Sequence, residues 1–353
     1  MTAGLIGNAR ALAAVQRALG SPSPPHAWLF VGPEGVGKAA LARWLAQAVN
    51  CAARSQQQGA RSQEPCGECA QCDRIARGIH SDVMTVSIPV AEANEPQHKD
   101  ISVDQVRDVE RAVALAPFEG RTRVVIIDPA DAMSTGAQNA FLKTLEEPPP
   151  NAMFVLIATQ VDALLPTVRS RCALIEFGLV PTAEIGHALR QRGVEEERAR
   201  LLARLSNGRP EKALALADDA SRLEKRSEAL EQARALAAMP MGDLMDLSER
   251  MAQQFRRDRE AVLGRLDGWL AWWRDVLLVC ASEVDSGDGL ANIDMLEGLR
   301  EDAGQYDRDD VVAFVRALRE CRRRLEGNVQ ARIALDALLV RSPRSAAVMR
   351  SEK

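Results

Sequence analysis

Four short runs of apolar residues in the first half of the chain predict buried strands. The runs cover residues 28–31, 123–128, 153–159 and 173–177. Their apolar residues are nearly continuous and do not alternate with polar ones, which is typical of strands that are covered on both faces.

Stretches with a helical spacing of apolar residues lie between these strands. They cover residues 38–50, 103–116 and 138–147. The second ends before Pro117 and the third ends at the prolines that begin with Pro148, because the residue before a proline is disfavoured in a helix. Thr135 and Gln138 are placed as a capping box at the start of the third stretch. Strands that alternate with helices in this way predict a parallel sheet flanked by helices.

Strand-like runs disappear after about Pro181. Alanine, leucine, arginine and glutamate follow helical periods from there to about Val340, with breaks at residues 206–210 and 239–241 that indicate boundaries. We therefore predict an N-terminal α/β domain followed by two all-α domains and a flexible tail. The predicted bounds are 1–178 for the α/β domain, 179–238 for a small helical lid domain, 239–342 for a larger helical domain and 343–353 for the tail.

The composition is that of a soluble globular protein with more than one domain. The chain has 353 residues, of which 46% are hydrophobic and 27% charged, and these values exclude wholesale disorder. A net charge of −4 and an aromatic content of 4% disfavour nucleic-acid binding through bulk charge or base stacking. The apolar runs are too short to cross a membrane, and the first residues lack the pattern of an export signal. We expect a cytoplasmic protein without a membrane partner.

Residues 32–39, named here the phosphate loop, have the sequence GPEGVGKA between a predicted strand and a predicted helix. This is the context of a phosphate-binding loop. Gly32, Gly35 and Gly37 allow backbone N–H groups to face an anion, and Lys38 is placed to reach the outer phosphates of a nucleotide. A glycine-rich turn without a ligand is the less favoured alternative.

Two positions argue against ATP hydrolysis. In an active loop the residue after the lysine is Ser or Thr, whose hydroxyl ligates Mg²⁺, whereas this chain has Ala39. Asp128 ends a predicted strand and is placed to hold the metal, but Pro129 follows where a hydrolase carries a glutamate that orients water. Asp131 is displaced by several ångström from that role. We predict no efficient hydrolysis and leave ATP binding open.

Four cysteines form the pattern C-x14-C-x2-C-x2-C: Cys51, Cys66, Cys69 and Cys72. Two-residue gaps allow successive thiolates to bind one ion, and four thiolates complete a tetrahedral zinc shell with no position for water. We therefore predict a structural zinc site within an inserted module, residues 51–72. His80 is close in sequence but is not needed as a ligand.

A short basic loop, residues 166–172, lies between the last two predicted strands. In oligomeric ATPases an arginine in such a loop can enter a neighbour's site and stabilise charge on the transferred phosphoryl group. Arg171 is the candidate for that role, and Arg169 is the local rival. A solvated surface loop is the simpler alternative.

Taken together, these residues resemble the bacterial clamp-loader branch of the AAA+ family. The most specific stretch is 123–172, which contains NAFLKTLEEPP at 139–149 and the triplet SRC at 170–172. A zinc module after the phosphate-loop helix is shared by members of the branch. The resemblance is strong over residues 5–215. Beyond them, only the length of the chain and its helical residue pattern fit the family.

The resemblance implies a function and a set of roles. Because Ala39 and Pro129 stand where an active subunit has a hydroxyl and a glutamate, the chain looks like a stator-like subunit without ATPase activity. Arg171 corresponds to an arginine finger that acts in a neighbouring subunit, Thr159 to a sensor and Arg209 to a second sensor, although Pro210 departs from a regular helix start. The implied partners are gamma/tau motor subunits and a delta subunit. Together they load the sliding clamp onto primed DNA in replication, with residues 239–342 as an oligomerisation collar.

Two alternatives remain open. An active motor subunit of the gamma/tau type predicts measurable ATP turnover despite Ala39 and Pro129. A zinc-bearing nucleic-acid-binding module with a relic phosphate loop predicts tight DNA binding with a steep salt dependence. The net charge of −4 disfavours the second alternative.

Overall fold

The computed structural model describes residues 5–53, 64–89, 100–219, 221–281, 289–326 and 330–344. They divide into two compact units: Met1–Ala188 with Gly208–Lys212, and Leu189–Asn207 with Ala213–Lys353. Nearly all of the predicted tail and part of the predicted zinc module lie outside the described residues. The division of the helical region at residue 239 stays a prediction. Within the described ranges, no helix is long and apolar enough to cross a membrane.

The first unit is built on a parallel sheet of five strands in the order β2-β3-β4-β1-β5. The strands are β1 Ala27–Val31, β2 Val83–Val86, β3 Arg123–Ile127, β4 Ala152–Ala158 and β5 Ala173–Glu176. The four strands predicted from apolar runs are confirmed. The edge strand β2 was missed because its sequence VMTV is short and only its last residue is buried.

Helices cover both faces of this sheet, as predicted. They are α1 Ala9–Leu19, α2 Lys38–Asn50, α3 Ala70–Ala76, α4 Val103–Val113, α5 Thr135–Glu146 and α6 Pro166–Arg169. Successive residues of β1 enter different cores, with Trp28 packed on the side of α2 and Leu29 on the side of α5. A strand buried on both faces needs apolar residues at every position, which explains the continuous runs.

The predicted capping box of α5 is wrong. The N-cap is Ser134, whose hydroxyl accepts a hydrogen bond from the N–H of Ala137 at 3.2 Å. Gln138 instead donates to the carbonyl oxygens of Met133 and Ala163, at 3.0 and 3.2 Å. Gln138 thus joins the start of α5 to the loop after β4.

The remaining described elements are helical, which confirms the change of texture near Pro181. They are α7 Thr182–Gln191, α8 Glu196–Leu205, α9 Pro210–Asp218, α10 Ser221–Ala235, α11 Met241–Arg257, α12 Arg259–Ala281, α13 Leu296–Gln305, α14 Arg308–Glu326 and α15 Ala331–Leu339. The tryptophans of α12 lie in the core of the second unit, where Trp273 meets Phe314 edge-on at a ring distance of 5.5 Å.

Candidate functional site

The conformation of the phosphate loop depends on glycine. Gly32 has a φ of 152°, and a Cβ at this position would lie 2.4 Å from the carbonyl oxygen of Phe177. Gly37 has a φ of 97° and is the N-cap of α2. The loop therefore runs directly into a helix N-terminus, whose first N–H groups have no partner within the helix. This is the geometry that the glycine spacing predicted.

Lys38 is buried and is held by the loop itself. Its ammonium group donates to the carbonyl oxygens of Gly32 and Pro33, the latter at 2.7 Å. Burial lowers the pKa of Lys38, while the nearby carboxylates of Asp128 and Asp131 oppose that shift. The two carbonyl contacts use two of the three N–H donors of this ammonium, which leaves one donor for a phosphate oxygen.

The surroundings of Lys38 are rich in carboxylates. Besides Asp128 and Asp131, Glu34 and Glu211 are close enough to act on the Lys38 charge. Burial raises the pKa of Asp128, and Lys38 counteracts that shift. Four carboxylates around one lysine disfavour a nucleotide triphosphate unless a metal ion neutralises part of its charge.

The two positions expected to lack catalytic groups do so in the structure. Ala39, in the first turn of α2, packs its methyl group against the core on that side of the sheet. Pro129 follows Asp128 directly after β3, at the carboxyl edge of the sheet where nucleotides bind in this class of fold. Neither side chain offers a ligand for Mg²⁺ or a base for water.

Asp131 has a role that the sequence did not reveal. Its Oδ2 accepts hydrogen bonds from the hydroxyl of Thr159 at 2.6 Å, from the N–H of Thr159 at 2.9 Å and from the N–H of Gln160 at 3.0 Å. The hydroxyl proton of Thr159 is thereby donated within the chain. No sequence pattern indicated this pairing, because 28 residues separate the two partners.

Arg209 lies beside the phosphate loop. A Cβ built on Gly35 would be 3.4 Å from the Cβ of Arg209, and the N–H of Glu211 donates to the Gly35 carbonyl at 3.2 Å. The helix α9 begins at Pro210, a favoured first helical residue because its nitrogen carries no proton. The expectation that Pro210 departs from a regular helix start is therefore wrong.

The four predicted cysteine ligands come together. Their sulfur atoms all lie within 4.8 Å of one another, and Cys51 and Cys66 are 3.5 Å apart at Sγ. Four thiolates around zinc at about 2.3 Å have sulfur–sulfur distances of about 3.8 Å. None of the four is in a disulfide, so the cluster can hold a metal ion.

Backbone N–H groups donate to sulfur atoms of this cluster. The N–H of Cys66 donates to the sulfur of Cys51 at 3.4 Å, and the N–H of Cys69 donates to the sulfur of Cys66 at 3.3 Å. Burial opposes the ionisation of Cys69, but hydrogen bonds from the N–H groups of Cys72 and Ala52 and from the neighbouring thiols lower the pKa of Cys69 to about 6. Burial raises the pKa of the adjacent Cys72 thiol, so the pair favours a thiolate at Cys69. A thiolate is the form that ligates metals.

The cysteine cluster is joined to a neighbouring loop through α3, which begins after Cys69. From this helix, Gln71 donates to the carbonyl oxygen of Glu119 at 3.1 Å, and Arg74 pairs with the Glu119 carboxylate. His80 is buried, contacts Gln71 through Nε2 and accepts at Nδ1 from the N–H of Asp82 at 3.0 Å. Both nitrogens of His80 are therefore used outside the cluster, as expected for a residue that is not a ligand.

Asp82 was also missed by the sequence reasoning. Its fully buried carboxylate accepts from the N–H groups of Phe118, Glu119 and Gly120 at 2.7 to 2.8 Å and from Arg123 at 2.9 Å. Burial alone would raise the pKa of Asp82, but these four donors outweigh it and hold the pKa well below its usual range. Asp82 thus fixes the loop between α4 and β3.

Arg171 and its rival Arg169 are each paired within the chain. The guanidinium of Arg171 pairs with Glu146 and donates to the carbonyl oxygen of Thr167 at 2.9 Å. Arg169 pairs with Asp162 at 3.0 Å. The two arginine side chains are 34% and 33% exposed, so exposure does not distinguish the two candidates.

Known proteins resemble this chain along much of its length. The family model "DNA polymerase III, delta subunit" matches residues 7–180, which include the phosphate loop, the cysteine cluster and Arg171. The chain is 36% identical over 222 residues to "DNA polymerase III subunit tau" of Bacillus subtilis, covering 61% of this chain and 37% of that protein. It is 29% identical over 315 residues to "DNA polymerase III subunit delta'" of the same organism, covering 89% of this chain and 90% of that protein.

A solved structure is also similar. It is a DNA polymerase III gamma subunit-related protein from Thermotoga maritima, with a TM-score of 0.43 and 16% identity over 94% of this chain and 97% of that chain. Among the relatives compared by sequence, the chain spans little more than a third of the length of the tau protein and nine-tenths of the length of the delta-prime protein.

Proposed function

The chain belongs to the bacterial clamp-loader branch of the AAA+ family, and on that premise we propose that it is the delta-prime, stator-like subunit of a DNA polymerase III clamp loader. In this role it assembles with gamma/tau-type motor subunits and a delta subunit. The complex uses ATP to place a sliding clamp on primed DNA during replication. The chain contributes Arg171 to the site of the adjacent motor subunit.

The composition of the nucleotide site carries this proposal. Ala39 offers no hydroxyl for Mg²⁺, and Pro129 offers no carboxylate that could orient water. The two substitutions remove different requirements of hydrolysis. A site with these residues supports a subunit that does not turn over ATP, whether or not it binds the nucleotide.

The position and charge of Arg171 support a role for this residue in the nucleotide site of a neighbouring subunit. It follows α6 on a loop at the surface, and its guanidinium carries a permanent charge that suits the phosphoryl group of a neighbour's ATP. Its carboxylate partner among the described residues, Glu146, is half-exposed, so the paired guanidinium lies at a surface that a neighbouring subunit can approach. An arginine that serves another site has no need of an active site in its own subunit.

The four-cysteine cluster is assigned to structural zinc. Cys51, Cys66, Cys69 and Cys72 supply four thiolates and leave no position for water or substrate, so the ion stabilises the module without taking part in a reaction. The contacts from α3 to Glu119 in the Asp82-bound loop support a stabilising role for the ion beside the sheet. Zinc fits these ligands better than calcium or magnesium, which prefer oxygen.

The motor alternative is weaker because it requires hydrolysis without the Mg²⁺ ligand and without the glutamate. The nucleic-acid-module alternative gains no support from the charge, since the chain is acidic.

Reconstitution tests the proposal. The chain is mixed with motor and delta subunits of the same organism, and clamp loading onto primed DNA is measured with and without it. We expect a complex on gel filtration that contains this chain, and loading that depends on it. Loading that is equally fast without the chain, or hydrolysis of ATP by the chain alone at a motor-like rate, would reject the stator role.

A further inference from the structure

We infer that Glu146 is a positioning residue that holds Arg171 in the orientation from which it acts. This inference rests on the proposed role of Arg171 in a neighbouring site. It adds a residue from a different element, the last residue of α5, to the machinery of the basic loop.

The Arg171 guanidinium is held at both of its terminal nitrogens. Nη2 donates to the carboxylate of Glu146, while Nη1 donates to the carbonyl oxygen of Thr167 at 2.9 Å and lies 3.4 Å from the hydroxyl oxygen of Ser170. Thr167 and Ser170 belong to the same short segment as Arg171. Glu146 is 25 residues away, so it is the partner that fixes the guanidinium relative to the sheet.

The backbone that carries Glu146 is well fixed. The helix α5 is capped by Ser134, and its side chains Phe141 and Leu145 are buried. At its end the N–H of Glu147 donates to the carbonyl oxygen of Lys143 at 3.0 Å, just before a run of prolines. Arg169 has a weaker partner, because the side chain of Asp162, in a single 3-10 turn at Val161–Ala163, is 92% exposed. The contrast between the two pairs favours Arg171 as the arginine with a defined orientation.

The physical benefit of the Glu146 contact is that it orders the Arg171 side chain before the arginine meets its target. An arginine side chain that must be ordered before it meets its target loses conformational freedom, and a partner that orders it beforehand removes part of that cost. The carboxylate leaves other N–H groups of the guanidinium available, since arginine has five donors. The benefit for one immobilised side chain corresponds to about three- to fivefold in rate.

A double-mutant cycle in the reconstituted loader tests this inference. Glu146→Ala, Arg171→Ala and the double variant are compared by clamp- and DNA-stimulated ATP turnover, with kcat and KM separated. We expect Glu146→Ala to lower kcat about three- to fivefold, Glu146→Asp to recover part of the loss, and Glu146→Ala to have no further effect when Arg171 is already replaced. The matched control is Glu147→Ala, at an exposed adjacent glutamate, which should leave kcat unchanged.

Each outcome distinguishes the inference from the proposed function. If Arg171→Ala lowers turnover but Glu146→Ala does not, only the role of Glu146 is rejected. If Glu146→Ala still lowers ATP turnover in the Arg171→Ala background, Glu146 acts by another route. If Glu146→Ala raises turnover, Glu146 inhibits Arg171 and does not position it. No effect of Arg171→Ala would reject the proposed arginine finger and the inference together.

Discussion

The hydroxyl of Thr159 donates a hydrogen bond of 2.6 Å to Asp131, and the backbone N–H of Thr159 donates to the same carboxylate oxygen. This pair joins the end of β4 to the turn after β3. The resemblance to clamp-loader subunits predicts a nucleotide-sensing role for Thr159. Its hydroxyl proton is donated to Asp131, which fits the proposed stator-like subunit, whose own site would not report on ATP.

Replacing Asp131 should destabilise the first unit. Asp131→Ala leaves three donors without their acceptor, so we expect a loss of about 1–3 kcal/mol in the free energy of unfolding. Urea denaturation followed by circular dichroism measures it. Asp162→Ala is the matched control, because that aspartate is 92% exposed and should cost less than about 1 kcal/mol. Equal effects of the two substitutions would contradict the account of Asp131.

The isolated chain should not hydrolyse ATP. We expect turnover at background level with or without Mg²⁺, because Ala39 and Pro129 supply neither a metal ligand nor a group that orients water. A phosphate-release assay on the purified chain measures it. Ala39→Thr alone should not restore turnover, since Pro129 remains. Robust turnover by the unmodified chain would favour the motor alternative.

The cysteine cluster should contain one zinc ion per chain. Cys66→Ser removes one of four thiolates and should lower the zinc content and the thermal stability, because the ligands define the module. Elemental analysis and a thermal melt provide the measurements. Cys280→Ser, a cysteine outside the cluster, should keep the metal.

Zinc removal should also destabilise the loop whose N–H groups Asp82 binds. The helix α3 carries Cys72 and, through Gln71, contacts the backbone of Glu119. After chelation we expect faster hydrogen exchange at residues 70–76 and at 118–120, with little change in β4. Uniform exchange before and after chelation would show that the cluster does not stabilise this loop.

Asp82 should make stability depend on pH in the acid range. Its pKa in the folded chain lies well below the unfolded value of about 3.9. The carboxylate therefore stabilises the fold fully above that unfolded value, and the contribution is lost as the pH falls toward the folded pKa. Asp82→Asn should lower stability by about 3 kcal/mol at neutral pH and flatten the decline below about pH 5.

Unfolding in urea at a series of pH values measures this dependence. The control is Asp73→Asn, whose side chain is 57% exposed and pairs with Arg77 on the surface. We expect its pH profile to follow that of the unmodified chain. A steep acid decline that survives in Asp82→Asn would assign the pH dependence to other groups.

Local patterns in the sequence predicted what depends on local structure. The continuous apolar runs indicated four of the five strands, the spacing of Gly32, Gly35 and Gly37 indicated the phosphate loop, and the two-residue gaps between cysteines indicated a shared ion. In each case the residues that define the feature are near one another along the chain, so their spacing carries the geometry.

Contacts between distant segments could not be predicted in this way. The partners of Asp82 are 36 to 41 residues away, and Glu146 is 25 residues from Arg171. Whether an aspartate caps a loop or faces solvent depends on which backbone N–H groups the fold brings to it. The predicted start of α5 was wrong for a different reason. Ser134 and Thr135 are both good N-caps, and only the backbone conformation decides between them.

The most direct test of the central claim is ATP turnover by the reconstituted loader, stimulated by clamp and primed DNA, with Arg171→Ala compared with Arg169→Ala. The two arginines are almost equally exposed and lie two residues apart, so they are matched in charge and position. We predict that Arg171→Ala lowers turnover by more than about tenfold while Arg169→Ala leaves it nearly unchanged. Full turnover with Arg171→Ala would contradict the account of this chain as a subunit that donates an arginine to its neighbour.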